Sequence, residues 1–373
     1  MRILILTVTA GHGHNTSARA IEESFHAQGA DAVVLDMYKH ISSILYNVVD
    51  KGYLLSLRHF PRQFGHAYST AERPIPSKIL SVLNSNRLLA SLLAGFFRDY
   101  KPDLILTTHV FAAQVLDVLK QQGHLDVPIM GVMTDYCIHP FWEAVPSVDY
   151  IVTANELTHF AAIRRGIAKE RLLPFGIPVS ARFTRRGCKR AARQKLGLPE
   201  DKTTLLLMGG SMGYGDMPHN VIQIDAMGED YQLACITGKN ERLGKELREL
   251  TTKNPLHVSG YTNQVDVYMD AADCIVTKPG GLTTTESLAK GLPMILSHPI
   301  PGPELRNANF LTNSGAAVLV SKHFPIQDAV YAVLGRPGRL ALMHQAIAHI
   351  ARPRAADEIS RFASELVQQG IGV

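Results

Sequence analysis

The chain has no apolar run of about 18 residues, so nothing in it reads as a membrane-spanning helix. Four cysteines (Cys137, Cys188, Cys235 and Cys274) lie scattered through 373 residues, with no Cys-x-x-Cys pair. That spacing excludes a zinc ribbon and a disulfide scaffold, and it predicts reduced thiols. No GxxxxGK[ST] segment occurs, which disfavours a nucleotide-hydrolysing P-loop. No Asp-x-Asp pair occurs either, so no motif asks for a metal ion. The start, MRILILTVTAGHGH, lacks a basic n-region and a small-residue cleavage site, and it reads as a first strand instead of a signal peptide. Acidic residues are scarce in two places. Residues 51–98 carry Lys51, Arg58, Arg62, Arg73, Lys78, Arg87 and Arg98 against Glu72 alone, and residues 182–195 carry Arg182, Arg185, Arg186, Lys189, Arg190, Arg193 and Lys195 with no acid. On a background of net charge +5, these zones predict an anionic partner. For the second, short run, nucleic acid is the disfavoured choice.

What is present is enough apolar material for two cores: 46% hydrophobic and 19% charged residues over a length that one core seldom serves. Short apolar runs alternate with helical patterns. Strands are expected at 2–8, Asp31–Asp36, Leu104–Thr107, Ile129–Met133 and Tyr150–Thr153, with a helix over Thr16–Gln28. A second series follows at Thr204–Met208, Gln232–Ile236, Leu256–Ser259, Asp273–Thr277, Pro293–Leu296 and Ala317–Val320. The pattern predicts an α/β protein of two Rossmann-like domains facing a cleft. The expected boundaries are 1–178 for the first domain, 179–198 for a linker, 199–350 for the second domain, and 351–373 for a terminal helix returning to the first. Segment 40–98 breaks the rhythm. Its end, Leu88–Phe97, suits either a buried core helix or a helix lying on a membrane surface.

Five motifs carry chemistry. Gly209-Gly210-Ser211-Met212-Gly213 follows a strand and suits a diphosphate, or a plain structural turn. In Lys278-Pro279-Gly280-Gly281-Leu282-Thr283-Thr284-Thr285-Glu286 the glycines turn, the threonines can cap a helix, and Glu286 sits in its first turn. There the carboxylate would either complement the helix dipole or accept from a ribose diol. Pro299–Asn309 brings Glu304, Arg306, Asn307 and Asn309, which suit sugar hydroxyls or ordinary capping. His12 and His14 follow the first strand, where a histidine serves as general base, a metal ligand or a packed side chain. Asp135 and His139 lie in MTDYCIHPFW at a strand's carboxyl end, where ligands bind in open sheets, with Trp142 as a packing residue of that loop.

In this order the motifs resemble the monogalactosyl- and glucosyl-diacylglycerol synthases over about residues 1–350. They are similar, more distantly, to the N-acetylglucosaminyltransferase that makes the second lipid intermediate of peptidoglycan. The resemblance implies the two-Rossmann (GT-B) fold, a UDP-hexose donor, inversion at the anomeric carbon and no cofactor. It implies donor contacts at Gly210, Ser211, Gly213, Gly260, Tyr261, Val265, Gly280, Gly281, Leu282, Thr283, Glu286, Glu304 and Asn307. It implies His14 as the catalytic base with Asp135 beside it, and an acceptor side at Gly13, His109, His139 and Trp142. The implied partners are diacylglycerol or a related lipid and an anionic membrane, and the implied place is the cytoplasmic face of the cell membrane. A UDP-N-acetylglucosamine 2-epimerase, a transferase for another lipid-linked acceptor and a catalytically silent UDP-sugar sensor are the competing readings.

Overall fold

The computed structural model describes residues 1–9, 13–42 and 76–370, the side chains of 76–84 and 337 aside. His12 and the basic residues Lys51, Arg58, Arg62 and Arg73 therefore lie outside the described residues. The chain forms two compact units. One comprises Met1–Ala181, Pro301–Pro303 and Arg352–Val373, and the other Arg182–Ile300 and Glu304–Ala351.

The first unit is built on a parallel sheet of β1 (Arg2–Thr7), β2 (Asp31–Asp36), β3 (Leu104–Thr107), β4 (Ile129–Val132), β5 (Tyr150–Val152) and β6 (Leu172–Leu173), in the order β2-β1-β3-β4-β5-β6. The strands β3 and β4 at its centre are buried at every position because helices cover both faces, the normal state of a parallel sheet. On one face, Ile21 and Phe25 of the helix Gly13–Ala27 pack with Ile359, Ala363 and Leu366 of the terminal helix Ala355–Gln368. Ser24 donates to Asp357 at 2.8 Å and fixes that pair of helices. On the other face lie the helices Pro76–Tyr100 and Val110–Gln121, with Trp142 beside them.

The helix Pro76–Tyr100 is part core and part open surface. Ala90, Leu93 and Phe97 are in the core, whereas Leu88 and Leu92, one turn apart, are 63% and 58% exposed. The stretch Leu88–Phe97, apolar on nearly every side, has one buried and one open face.

The second unit repeats the plan with β7 (Thr203–Met208), β8 (Tyr231–Ile236), β9 (Leu256–Ser259), β10 (Cys274–Thr277), β11 (Met294–Leu296) and β12 (Ala317–Leu319), ordered β12-β11-β10-β7-β8-β9 and parallel throughout. Two corrections concern local structure. The first helix begins at Gly13, three residues before the expected Thr16, because its opening residues are polar and carry no periodic signal. The strand β6, two residues long, is too short to show a pattern.

The basic run 182–195 is also corrected. Asp273 pairs with Lys189 and with Arg193, at 2.8 Å for Arg193, and Glu200 pairs with Arg190. Arg193 is buried and also donates to Ala271 O at 3.0 Å. A buried guanidinium needs such a cage, since an unpaired one would cost several kcal/mol (about 3–5). Three of the run's charges thus secure the start of the second unit instead of offering themselves to an anion.

Candidate active site

In the first unit, strand ends carry the chemistry. His14 is the second residue of its helix, and its Nδ1 donates to Thr108 O at 2.8 Å. Thr134 Oγ1 lies 3.0 Å from the same nitrogen, and Thr108 Oγ1 donates to His14 O at 3.1 Å. A main-chain carbonyl can only accept, so Nδ1 holds the proton and Nε2 keeps its lone pair. Burial holds the His14 pKa below its ordinary value, against the raising effects of the Asp135 charge and the bond to Thr108. The ring is therefore neutral near pH 7, the state a general base requires.

Around it stand His109 and His139. The His14 and His109 rings meet edge to face at 4.4 Å. His109 caps the helix Val110–Gln121, its Nδ1 accepting from Phe111 N at 3.1 Å. His139 caps the turn Pro140–Ala144 in the same manner, accepting from Phe141 N at 3.2 Å. Burial, then the nearby His14 and His139, push the His109 pKa well down. Gly13 opens the helix that presents His14, and Asp135 is a partly exposed residue three positions past β4. Trp142 requires correction as an acceptor residue. It is 4% exposed and its ring lies over Gly131, where a Cβ would come within 2.3 Å of Cζ3. It packs the loop from below.

In the second unit, three loops converge. Gly210 has φ +71°, and a Cβ there would stand 3.3 Å from Lys278 Cε. The Lys278 ammonium is paired with Glu304, whose other oxygen accepts from Ile300 N at 3.0 Å. Gly280 leaves room for this pair, since its absent Cβ would fall 3.3 Å from Lys278 Nζ and 3.6 Å from Glu304 Oε1. Asn307 is fully buried and donates to Pro279 O at 3.1 Å, tying the helix Pro303–Asn313 to the same turn. Ser211 O accepts from Lys239 N at 2.8 Å, and the Lys239 ammonium lies 5.9 Å from the centre of the exposed Tyr261 ring. Gly260 follows β9, and Val265 opens the helix Val265–Ala271.

The helix Gly281–Lys290 starts at this junction with Gly280 as its cap and no side-chain capping bond. The N–H groups of Gly281, Leu282 and Thr283 have no intrahelical partner and form a natural anion site. The expected threonine cap is corrected: Thr284 and Thr285 donate back to carbonyls of Gly280 and Gly281, at 2.8 and 2.6 Å. Glu286 lies beyond the first turn, so the helix-dipole reading falls. It is 9% exposed, and burial pushes its carboxyl up to about 8, with Arg182 pulling it down and Asp266 adding to the rise. Gly213 serves the turn itself. Its N–H donates to Gly210 O at 3.1 Å, and a Cβ would come within 2.7 Å of Thr237 O.

The structure thus gathers Gly210, Gly280 and Glu304 about Lys278 in the second unit, and His14, Asp135, His109 and His139 in the first. Lys278 was quoted in its motif without a role; a lysine directly after an apolar strand was the available signal. Thr108 and Thr134, which orient His14, gave no signal, being distant in sequence. Among the described residues no group of three His, Cys, Asp or Glu side chains is placed to hold a metal ion.

Residues 14–179 match the family model of monogalactosyldiacylglycerol (MGDG) synthase, and residues 204–356 that of the glycosyltransferase family 28 C-terminal domain. The chain is 30% identical over 362 residues to a processive diacylglycerol beta-glucosyltransferase of Bacillus cereus (strain AH187), covering 96% of this chain and 92% of that one. It is equally similar to the protein of that name from Bacillus cytotoxicus, over the same shares. Among solved structures it is similar to Acinetobacter baumannii MurG (TM-score 0.65, 14% identity, 98% and 99% of the two chains). It is also similar to the UDP-GlcNAc 2-epimerase of Neisseria meningitidis (TM-score 0.60, 12% identity, 98% and 100%). At such identities these two likenesses speak for the fold alone, which is the GT-B fold of two parallel six-stranded sheets. With the sequence match spanning nearly all of both chains, the protein belongs to the family of diacylglycerol glycosyltransferases.

Proposed function

We propose that the chain is an inverting hexosyltransferase that moves glucose or galactose from UDP to diacylglycerol or a closely related lipid. The observation that carries this reading is the junction of Gly210, Lys278, Gly280 and Glu304 at the open N-terminus of the helix Gly281–Lys290. A diphosphate there meets an ammonium and main-chain N–H groups. Glu286, buried one turn further on, offers its carboxyl to the ribose diol. Glu304 stands where the hexose hydroxyls would be held, with the buried Asn307 anchoring the same helix to the Pro279 turn, and Tyr261 and Val265 stand where uracil would lie.

In the first unit His14 Nε2 takes the proton of the acceptor hydroxyl. The acceptor oxygen forms its bond to C1 as the bond from C1 to the UDP oxygen breaks, and the electron pair leaves on the diphosphate. Positive charge for that diphosphate comes from Lys278 and main-chain amides, so the reading includes no metal. Turnover that persists in EDTA is the expected result. The described residues contain no helix long and apolar enough to cross a membrane. The open Leu88–Leu92 face and the basic side chains of Arg87 and Arg98 suit peripheral docking on an anionic bilayer at its cytoplasmic face.

The test is to offer the purified chain UDP-glucose and UDP-galactose with diacylglycerol and identify the lipid product. A monohexosyl or dihexosyl diacylglycerol is expected. Consumption of a UDP-sugar without any acceptor would point instead to an epimerase.

A further inference from the structure

Two short segments of the first unit repeat one construction. In His109-Val110-Phe111 and in His139-Pro140-Phe141, the histidine Nδ1 accepts from the main-chain N–H of the phenylalanine two residues on, at 3.1 and 3.2 Å. Each histidine thereby fixes the turn that presents its own phenylalanine. The two phenylalanine rings meet at 6.0 Å, and each leans on its histidine at 5.0 and 4.9 Å. Through His109 the arc reaches the His14 ring at 4.4 Å. Phe111 is 37% exposed and Phe141 partly so, while Trp142 beside them is in the core. The result is one continuous aromatic surface that begins at the general base and ends in an open apolar edge.

The hydrogen bonds also fix its charge. An Nδ1 that accepts from an N–H carries no proton, so His109 and His139 are neutral. The His14 ring donates through Nδ1 and is neutral when it acts as a base. At its His14 end the group feels the negative charge of the Asp135 carboxylate. A surface of neutral rings beside a carboxylate attracts an uncharged apolar molecule and repels a phosphate.

Resting on the transferase reading, the geometry points to Phe111 and Phe141 as the acceptor subsite that grips the acyl-glycerol part of an uncharged lipid alcohol and sets its hydroxyl against His14. The subsite accepts diacylglycerol and discriminates against lipids that carry a phosphodiester next to the hydroxyl.

The test compares dioctanoylglycerol with dioctanoyl phosphatidylglycerol, which keeps the acyl chains and a primary hydroxyl but adds the negative charge. Both are offered in mixed micelles to the full chain and to Phe111→Ala, Phe141→Ala, the double variant, and Phe111→Leu with Phe141→Leu. The wild type is expected to favour dioctanoylglycerol at least tenfold in kcat/KM. Each alanine should lower kcat/KM on dioctanoylglycerol about tenfold, mainly through the acceptor KM. The leucine variants should recover most of the loss, and the UDP-sugar Kd should stay unchanged in all of them, which also shows that they are folded. Wild-type kcat/KM in the double alanine variant, or equal use of the two lipids by the wild type, would overturn the subsite while leaving the transferase reading standing. If the wild type binds the UDP-sugar but transfers to neither lipid, the transferase reading falls and the subsite with it.

Discussion

The Nδ1 of His14 faces the main-chain carbonyl of Thr108 across 2.8 Å, and that bond decides which ring nitrogen is basic. His14→Ala should keep UDP binding and lose about 10²–10⁴-fold in turnover, measured by UDP release with and without lipid. The acid limb of the wild-type pH–rate profile follows from the same site. Because burial lowers the His14 pKa, turnover should hold down to a pH below the ordinary histidine value of 6.5 and fall only as the ring takes up its proton. The linked stability has the same sign: present above pH 6.5, and lost as pH drops through the lower folded value.

Glu286 gives the opposite sign. Its carboxyl titrates near pH 8 when folded and near 4.5 in the ordinary state, so the folded protein holds a proton that the unfolded chain releases between those values. Wild-type stability in the absence of donor should therefore fall as pH rises through that window, by a few kcal/mol (about 2–4). Glu286→Gln should flatten the slope, as read from thermal melting against pH. The same variant should bind UDP about tenfold more weakly by calorimetry at about pH 9, where the wild-type carboxyl is ionised and offers two acceptor oxygens to the ribose diol while the amide offers one.

Gly131 leaves no space for a side chain beneath Trp142. Gly131→Ala should cost about 1–3 kcal/mol in urea denaturation, because the ring must move. Turnover should drop as well, since Asp135 and His139 belong to the loop that Trp142 supports. An alanine variant with wild-type stability and turnover would remove this support from the site.

Arg193 tests the other unit. Its replacement by alanine leaves Asp273 with Lys189 and the Thr204 N–H, so the loss in stability should sit at the lower end for a broken buried pair, about 3 kcal/mol. The kcat measured well below the melting point should be unchanged. A large loss of kcat would tie this segment to the chemistry.

The alternation of strands and helices was readable because its signal is local. Asp31–Asp36, Leu104–Thr107 and Leu256–Ser259 fall at their expected bounds. The motif loops were readable for a related reason: glycine and proline at strand ends mark the places where backbone must turn at the edge of a parallel sheet. The position of Glu286 was misjudged because the helix starts directly at Gly281 and leaves it past the first turn. Trp142 was placed on the acceptor side because an aromatic near a motif reads the same whether it faces inward or outward.

By itself, then, the amino-acid order determined the two-domain α/β plan and the loops in which the chemistry resides, since both depend on contacts a few residues apart. Tertiary structure alone decided the tautomer of His14, the partner of Lys278, the raised pKa of Glu286 and the meeting of Phe111 with Phe141. Each of these joins segments well separated in the chain or depends on how deeply a group is buried. Neither distance nor dielectric environment is written in a local pattern.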